Sequence, residues 1–274
     1  MKKTIKKCLK NRNIKIGGVM VGIILLMMLV SLFYIPYNPN KIDAANTLAH
    51  PSLEHFLGTD ENGRDIFSRI MKGSQIAFVI GTLAVAIGFF VGTIVGSIGG
   101  FFGKWIDEIF MRLVDVQMSF PGVLVALMLV AVLGYSIQNT ILAIGIMSIP
   151  SFVRITRSGY LQYKNAEFVK SAKAKGASSI RIMYRHILPN IVSPLVVTAT
   201  LAFSLAIIAE AALSYMGVGV QPPDPSWGTM LKDAQRFMIS NPVYAIAPGV
   251  FISTLVLGFN LLGDGLRDVL DTKL

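Results

Sequence analysis

Charged residues are scarce in this chain of 274 residues, at 15% of the total, whereas a typical soluble domain carries about 25%. Apolar residues make up 53%. Asp, Glu, Lys and Arg are absent from five stretches, which are 16–40, 73–103, 116–153, 186–209 and 237–263. Each stretch can hold a helix of about 20 residues, the length that crosses a bilayer. This distribution excludes a soluble globular domain and predicts an all-α integral membrane protein.

Residues that carry catalysis or bind metals are also few. The single cysteine, Cys8, cannot form an internal disulfide, and the three histidines (His50, His55 and His186) form no helical metal pair. The phosphate-binding pattern Gly-x-x-x-x-Gly-Lys-[Ser/Thr] is absent, as are Gly-x-Ser-x-Gly and a Ser-His-Asp set. We therefore expect no enzyme activity and no cofactor or metal on this chain. Any transport would draw its energy from another protein.

The apolar stretches predict six transmembrane helices. The longest stretch is interrupted by the polar run Gly134–Asn139, which we interpret as a turn between two spans. The predicted spans are 17–35, 76–101, 111–133, 138–154, 192–213 and 244–263. Around them we expect a basic N-terminus (1–16), an extracytoplasmic loop (36–75), a five-helix core (76–263) that contains an inner loop (155–190), and a tail (264–274).

The net charge of +10 follows the predicted topology. Basic residues concentrate before the first span and in the 154–185 loop, where Glu167 is the only acid. These segments lie on the same side of the membrane if there are six spans, so the positive-inside rule predicts that both termini are cytoplasmic. The excess charge is then explained by topology and by anionic lipid, and nucleic acid is not expected as a partner. The predicted location is the cell membrane, with several spans.

Local patterns within the spans predict specific contacts. Small residues recur every fourth position at Ala84, Gly88, Gly92, Gly96 and Gly100. Such a ridge favours close helix packing, either within the subunit or, in a second role, between subunits or along a pore. Two other features involve charges and prolines. Arg112 and Asp115 are spaced to pair on one helix face, Pro121 and Pro150 fall inside the third and fourth spans, and Glu210 lies near the outer surface, where it can reach interfacial water.

The inner loop contains a basic amphipathic segment. Apolar residues at 168, 172, 180, 183, 184 and 187 recur at helical spacing between lysines and arginines, and Gly176 divides them. The pattern predicts two short helices joined by a turn at the cytoplasmic surface. From the residues alone, a helix lying on anionic lipid is an equally good interpretation.

This loop resembles one found in permease subunits of bacterial ABC importers, in which Glu-Ala-Ala is followed by three residues, Gly, nine residues and Ile-x-Leu-Pro. The frame falls on Lys170–Ala172, Gly176 and His186–Pro189. Ala172, Gly176, Leu188 and Pro189 match at the family's spacing, whereas Lys170, Ser171 and His186 depart from it.

Other blocks resemble the dipeptide, oligopeptide and nickel branch of that family, and its C-type permease in particular. They are Leu57–Asp60 with Gly63–Asp65, Ser68–Arg69, Glu210–Pro223, Pro225–Gly228 and Phe259–Asp268. The blocks cover nearly the whole chain in the expected order. The resemblance implies a type I ABC importer permease fold and half of a translocation path for di- or oligopeptides.

The resemblance also implies partners and roles. We expect a B-type permease, two ATP-binding subunits that hold ATP and Mg, and an extracytoplasmic binding protein. The implied contact with the ATPase lies in the inner loop, at Glu167, Ala172, Gly176, Ala177, Leu188 and Pro189. The implied gate or binding-protein contact involves Asp60, Arg64, Asp65, Glu210 and Trp227.

Two alternatives stay open at this stage. Nickel or metal-chelate importers share the same blocks, and substrate choice in the family is set largely by the binding protein. A stand-alone secondary transporter or channel belongs to a different class, which the near-absence of ionisable groups within the spans disfavours. A membrane enzyme is disfavoured by the missing catalytic constellations.

Overall fold

A computed structural model describes Lys7 and residues 10–270. Cys8, the lysines at positions 2, 3 and 6, and the end of the predicted tail (271–274) lie outside the described residues. Within the described part, the chain consists of helices joined by turns and irregular loops, and the one β-contact is an isolated bridge between Thr59 and Asp65. The helices are α1 (Arg12–Ser31), α2 (Ile66–Phe102), α3 (Lys104–Met118), α4 (Gly122–Leu133), α5 (Ile137–Tyr163), α6 (Glu167–Ala174), α7 (Ser179–Arg181), α8 (Leu188–Tyr215), α9 (Trp227–Ala234) and α10 (Pro242–Leu270).

Five helical segments of the described chain are long and apolar enough to cross a membrane: α1, α2, α5, α10 and the continuous run Ser179–Tyr215 that contains α8. The bent pair α3 and α4 raises the number to six if the two helices together form one span. The irregular part of the predicted outer loop, 36–75, is shorter than expected, because α2 begins at Ile66. Asp65 caps this helix by accepting a hydrogen bond from the Ser68 N–H at 2.7 Å.

The predicted third span, 111–133, is wrong as a single helix. The chain turns by 90° between α3 and α4. Pro121 has an extended ψ of 127°, and a proline also disfavours helical geometry in the residue before it, here Phe120. The apolar run therefore continues through a break in the helix, which hydropathy does not detect.

The small-residue ridge of α2 packs against α5 inside the same subunit. A Cβ atom on Gly92 would lie 2.5 Å from the Phe152 Cβ, and one on Gly100 would lie 2.7 Å from the Tyr160 Cβ. Real Cβ atoms do not approach this closely, so the two helix backbones come together only because these positions are glycine. Of the two predicted roles, the described contacts correspond to packing within the subunit.

A side chain from α3 compensates for the proline within α5. Pro150 has no N–H, so the Ile146 carbonyl one turn earlier lacks its helical donor. Gln117 donates from its side-chain nitrogen to that carbonyl oxygen at 2.7 Å. In a membrane, a carbonyl without its helical donor must be satisfied by another protein group. The bond from Gln117 does this, and it also holds α3 against α5.

Candidate functional site

The inner loop forms the expected helix, turn and helix. α6 ends in a Schellman motif, in which the Gly176 N–H donates to the Lys173 carbonyl at 2.9 Å and the Ala177 N–H donates to the Ala172 carbonyl at 3.1 Å. Gly176 has a φ of +78°, in the left-handed region that glycine adopts most easily, and open space surrounds the position of its missing Cβ. The turn therefore depends on backbone freedom at Gly176 and leaves its outer surface accessible.

The loop is held against the core by three of the six apolar residues predicted from their spacing, joined by two others, Val169 and Ile182. Val169, Ala172, Met183 and Ile187 are buried, and the Tyr160 hydroxyl donates to the Met183 carbonyl at 3.0 Å. Ile182 is also buried, in a π-helical turn (Ile182–Ile187) that leads into α8. Val169 was missed, although its spacing from Ala172 places both on one helix face.

Three residues predicted for the buried face are partly exposed instead. Phe168, Ile180 and Tyr184 keep 40%, 69% and 47% of their surface accessible. The prediction was wrong for Tyr184 because the π-helical turn changes the angular spacing of the side chains after Arg181. Phe168 and Ile180 precede that turn, and in α6 it is Val169, the neighbour of Phe168, that takes the buried face. The consequence is an inner surface that presents apolar side chains next to basic ones.

Of the six residues expected at the ATPase contact, some are exposed on this inner surface and others are buried or half-buried beneath it. Glu167 is exposed and pairs with Lys170 at 2.8 Å, while Ala172 lies on the buried face of α6. Pro189 is exposed in the first turn of α8, and Ala177 and Leu188 are partly buried. The basic side chains of the loop are exposed, at Lys170, Lys173, Lys175, Arg181 and Arg185.

The outer residues predicted from sequence form a buried charged network. Asp60 is fully buried, and its carboxylate accepts hydrogen bonds from the Arg64 side chain at 2.6 Å and from the Arg64 and Asn62 backbone N–H groups. The guanidinium of Arg69, also buried, lies 3.5 Å from Asp60. A buried carboxylate is stable when it is paired and hydrogen-bonded in this way, so Asp60 organises the loop that precedes α2.

Two further contacts join this loop to the last part of the chain. The Tyr244 hydroxyl donates to Glu61 at 2.7 Å, and Trp227 in α9 donates its indole N–H to the Ile70 carbonyl at 3.1 Å. Trp227 is 1% exposed. The carboxylate of Asp65, which caps α2, also pairs with His55, with 2.8 Å between Oδ1 of Asp65 and Nδ1 of His55. The outer loop, α9 and the start of α10 thus form one lobe.

Two predictions about charged residues near the membrane are wrong. Glu210 does not reach interfacial water, because it is 2% exposed and accepts a hydrogen bond from Ser214 at 2.7 Å on the following turn of α8. Arg112 does not pair with Asp115 but with Glu108, at 3.4 Å.

The acids of α3 instead meet arginines of α5. Asp115 pairs with Arg154 at 2.8 Å, and Asp107 accepts two bonds from Arg157 at 2.5 and 2.7 Å. Sequence spacing identifies only pairs on one helix, whereas these pairs join two helices. Together with Gln117, they attach α3 to α5 along its length.

Comparison with known proteins identifies the family. Residues 88–274 match the family described as the binding-protein-dependent transport system inner membrane component. The chain belongs to this family. It is therefore a permease subunit, with several spans in the cell membrane, as the sequence predicts.

Individual relatives of the permease carry more specific names. It is 41% identical over 278 residues to the dipeptide transport system permease protein DppC of Alkalihalophilus pseudofirmus, a match that covers 100% of this chain and 90% of the relative. It is 48% identical over 255 residues to the glutathione transport system permease protein GsiD of Shigella flexneri, covering 92% and 84%. The expected branch of ABC importer permeases is confirmed by these relatives.

A solved structure shares the fold of the permease. A chain of the MetNI methionine ABC transporter in inward-facing conformations aligns with a TM-score of 0.55 at 19% identity, over 72% of this chain and 93% of the other. The type I importer permease fold is confirmed by this likeness, which at that identity concerns the fold alone.

Proposed function

We propose that this permease forms half of the translocation path of an ATP-driven importer for di- or oligopeptides. The observation that carries the proposal is the inner loop, a basic helix-turn-helix whose buried side is anchored on α5 and whose outer side presents apolar and cationic side chains together. A surface of that composition fits a protein cleft better than it fits solvent.

The inner loop would act as the coupling helix. Two ATP-binding subunits would bind ATP and Mg, hydrolyse ATP and move the loop. Because Val169, Ala172 and Met183 are buried against the core, a displacement of the loop is transmitted to α5 and α8. A second, B-type permease would complete the path, and an extracytoplasmic binding protein would deliver substrate to the outer lobe.

The contacts within the outer lobe fit a surface on which a binding protein docks, because they join its parts to one helix. Asp60, Arg64 and Arg69 join the loop to α2, and Trp227 joins α9 to the same helix. Asp60, Asp65, Glu210 and Trp227 are buried, so we assign them to shaping the lobe and its gate, with contacts to the binding protein made by the exposed residues around them.

Peptide is the substrate class that the relatives favour. The dipeptide and glutathione permeases are named for peptides, whereas nickel transport rests on shared sequence blocks only. A nickel or metal-chelate importer is therefore the second candidate.

Reconstitution of the full complex in proteoliposomes tests the proposal. With binding protein and ATP present, labelled dipeptides, longer peptides and chelated nickel are offered separately. We expect ATP-dependent uptake of peptide. Uptake of nickel alone would contradict the substrate class, and uptake by this chain without ATPase partners would contradict the mechanism in favour of a secondary transporter or channel.

A further inference from the structure

A groove runs between α5 and α8, and its lining is mainly apolar in its largest part and more polar toward the inner loop. Its widest part is a cavity of about 490 Å³ bounded by α4, α5 and α8, and two neighbouring cavities of about 440 Å³ each continue it toward the inner loop. Thr198 and Leu201 line both the first and the second cavity, while Ser193 and Pro194 line both the second and the third. Because neighbouring cavities share lining residues, they lie next to one another along α8, and the three together are called the groove.

Hydroxyl groups follow the groove along its length. Ser151 and Thr198 line its wide part, and Ser193 and Ser158 line the part nearer the inner loop. The Thr198 hydroxyl donates to the Pro194 carbonyl at 2.9 Å, which leaves its oxygen lone pairs open to a donor in the groove. Hydroxyls in membrane helices commonly donate to a carbonyl of their own helix, as Thr198 does, and their oxygens can still accept a hydrogen bond from water or a polar solute in the groove.

One charged side chain borders the groove among its described lining residues. Arg267 of α10 lies at the part nearer the inner loop, beside Ile155 and Ser193. A guanidinium stays charged at every working pH and binds a carboxylate through two parallel hydrogen bonds. The groove thus combines neutral hydrogen-bonding groups along its length with a carboxylate-binding group toward one end.

We propose that this groove is the wall that the permease contributes to the translocation path, and that Arg267 receives the free carboxylate of a passing peptide. The inference rests on the proposed function. Peptide N–H and C=O groups exchange hydrogen bonds with the serine and threonine hydroxyls, and side chains of any type slide along Leu201 and its apolar neighbours. The carboxylate at the chain end, which most small peptides share, is what Arg267 selects.

The first test measures whether the groove is hydrated and occupied. In a Cys8→Ser background, we replace Ser151, Thr198 or, as a control, Leu83 by cysteine. Leu83 is 47% exposed on α2 and does not line the groove. A water-soluble thiol reagent should modify the cysteines at 151 and 198 in the assembled complex, and transported peptide should slow that reaction. Reactivity no greater than that at position 83 would overturn the assignment of the groove.

The second test addresses Arg267. Two dipeptides that the binding protein binds equally, one with a free carboxylate and one amidated, are supplied bound to saturating binding protein. Since a partly exposed ion pair is worth up to about 1 kcal/mol, the unmodified complex should import the free acid roughly two- to fivefold faster. In Arg267→Met the preference for the free acid should disappear, so that the two peptides are imported at equal rates. Arg267→Lys should keep part of the preference.

The ratio of the two uptake rates cancels any general loss of expression or activity. An unchanged ratio in Arg267→Met, or no preference in the unmodified complex, would overturn the role of Arg267. If the unmodified complex imports no peptide at all, the proposed function fails, whereas the cysteine reactivities still report on the groove.

Discussion

Gln117 shows how one side chain can repair the backbone of another helix. It donates to the Ile146 carbonyl that Pro150 leaves without a partner. Replacing Gln117 by methionine keeps the length of the side chain but removes the donor. We expect a loss of about 1–3 kcal/mol in stability, the cost of an unsatisfied buried carbonyl, measured as a lower midpoint of thermal unfolding in detergent.

A double-mutant cycle isolates this effect. Pro150→Ala restores the backbone N–H, so Gln117→Met should cost less than half as much in that background. Gln138→Met, at an exposed site at the start of α5, is the matched control and should leave the midpoint unchanged. Equal costs of Gln117→Met with and without Pro150 would show that the hydrogen bond does not compensate for the proline.

At the scale of single residues, sequence reasoning identified positions better than partners. Glu210 and Trp227 were assigned to a gate or binding-protein contact, a role that stays a prediction, whereas their hydrogen bonds with Ser214 and with Ile70 come from packing and were not predicted. The Gln117 contact spans 29 positions between two helices, so no local spacing rule detects it. The coupling residues were found by their pattern, and their role stays a prediction.

At the scale of helices, the ridge of α2 is the most stringent packing constraint. An alanine at Gly92 would place its Cβ 2.5 Å from the Phe152 Cβ and 2.9 Å from the Ile149 carbonyl oxygen. Overpacking of this kind costs about 1–3 kcal/mol, so Gly92→Ala should lower the thermal midpoint and the yield of folded protein. Gly22→Ala in α1 is the control, because nothing lies within 4 Å of its Cβ.

The control should move in the opposite direction. Alanine is favoured over glycine by about 1 kcal/mol in a helix, so Gly22→Ala should keep or raise the midpoint. A Gly92→Ala variant as stable as Gly22→Ala would show that α2 and α5 can separate without cost, contrary to the close approach described above.

Substitutions at Gly176 can test coupling to the ATPase without disturbing membrane insertion. Its φ of +78° is costly for a β-branched residue and tolerated by asparagine, while the space around it is open. Gly176→Val should therefore insert normally but lose substrate-stimulated ATP hydrolysis in the assembled complex, and Gly176→Asn should keep most of it. Normal stimulation in Gly176→Val would remove the inner loop from the coupling mechanism.

The bend between α3 and α4 is a feature that hydropathy alone does not predict. The apolar run was assigned to one straight span because every residue from 116 to 133 is uncharged. Hydropathy does not report the direction of a helix axis. The 90° turn between α3 and α4 depends on Pro121 and on the contacts of Gln117 and Asp115 with α5. The other spans were predicted to within several residues at most ends, although α2 and α5 extend well beyond the apolar cores that identified them.

For the whole molecule, the bent pair decides the topology. If α3 and α4 together cross the membrane, there are six spans and both termini lie on the same side, which the positive-inside rule predicts to be the cytoplasm. If they do not, the termini lie on opposite sides. In a Cys8→Ser background, a membrane-impermeant thiol reagent applied to intact cells should label Tyr135→Cys in the turn after α4. Asn165→Cys, in the turn before α6, should react only after permeabilisation.

Each result has a direct meaning. Both positions are on turns, and Tyr135 is 55% exposed, so accessibility to the reagent depends on the side of the membrane. Protection of position 135 in intact cells, with labelling after permeabilisation, would establish the five-span arrangement and place the turn after α4 inside.

The length of α4 has a consequence for the surrounding lipid. Its 12 residues rise about 18 Å at 1.5 Å per residue, well short of a hydrocarbon layer of about 30 Å. A helix this short creates a hydrophobic mismatch, which is relieved when the bilayer thins locally or when the helix is shielded by other protein. Where the bilayer thins, headgroups and water come closer to the mid-plane beside α4; where protein shields the helix, the shield is the neighbouring permease subunit.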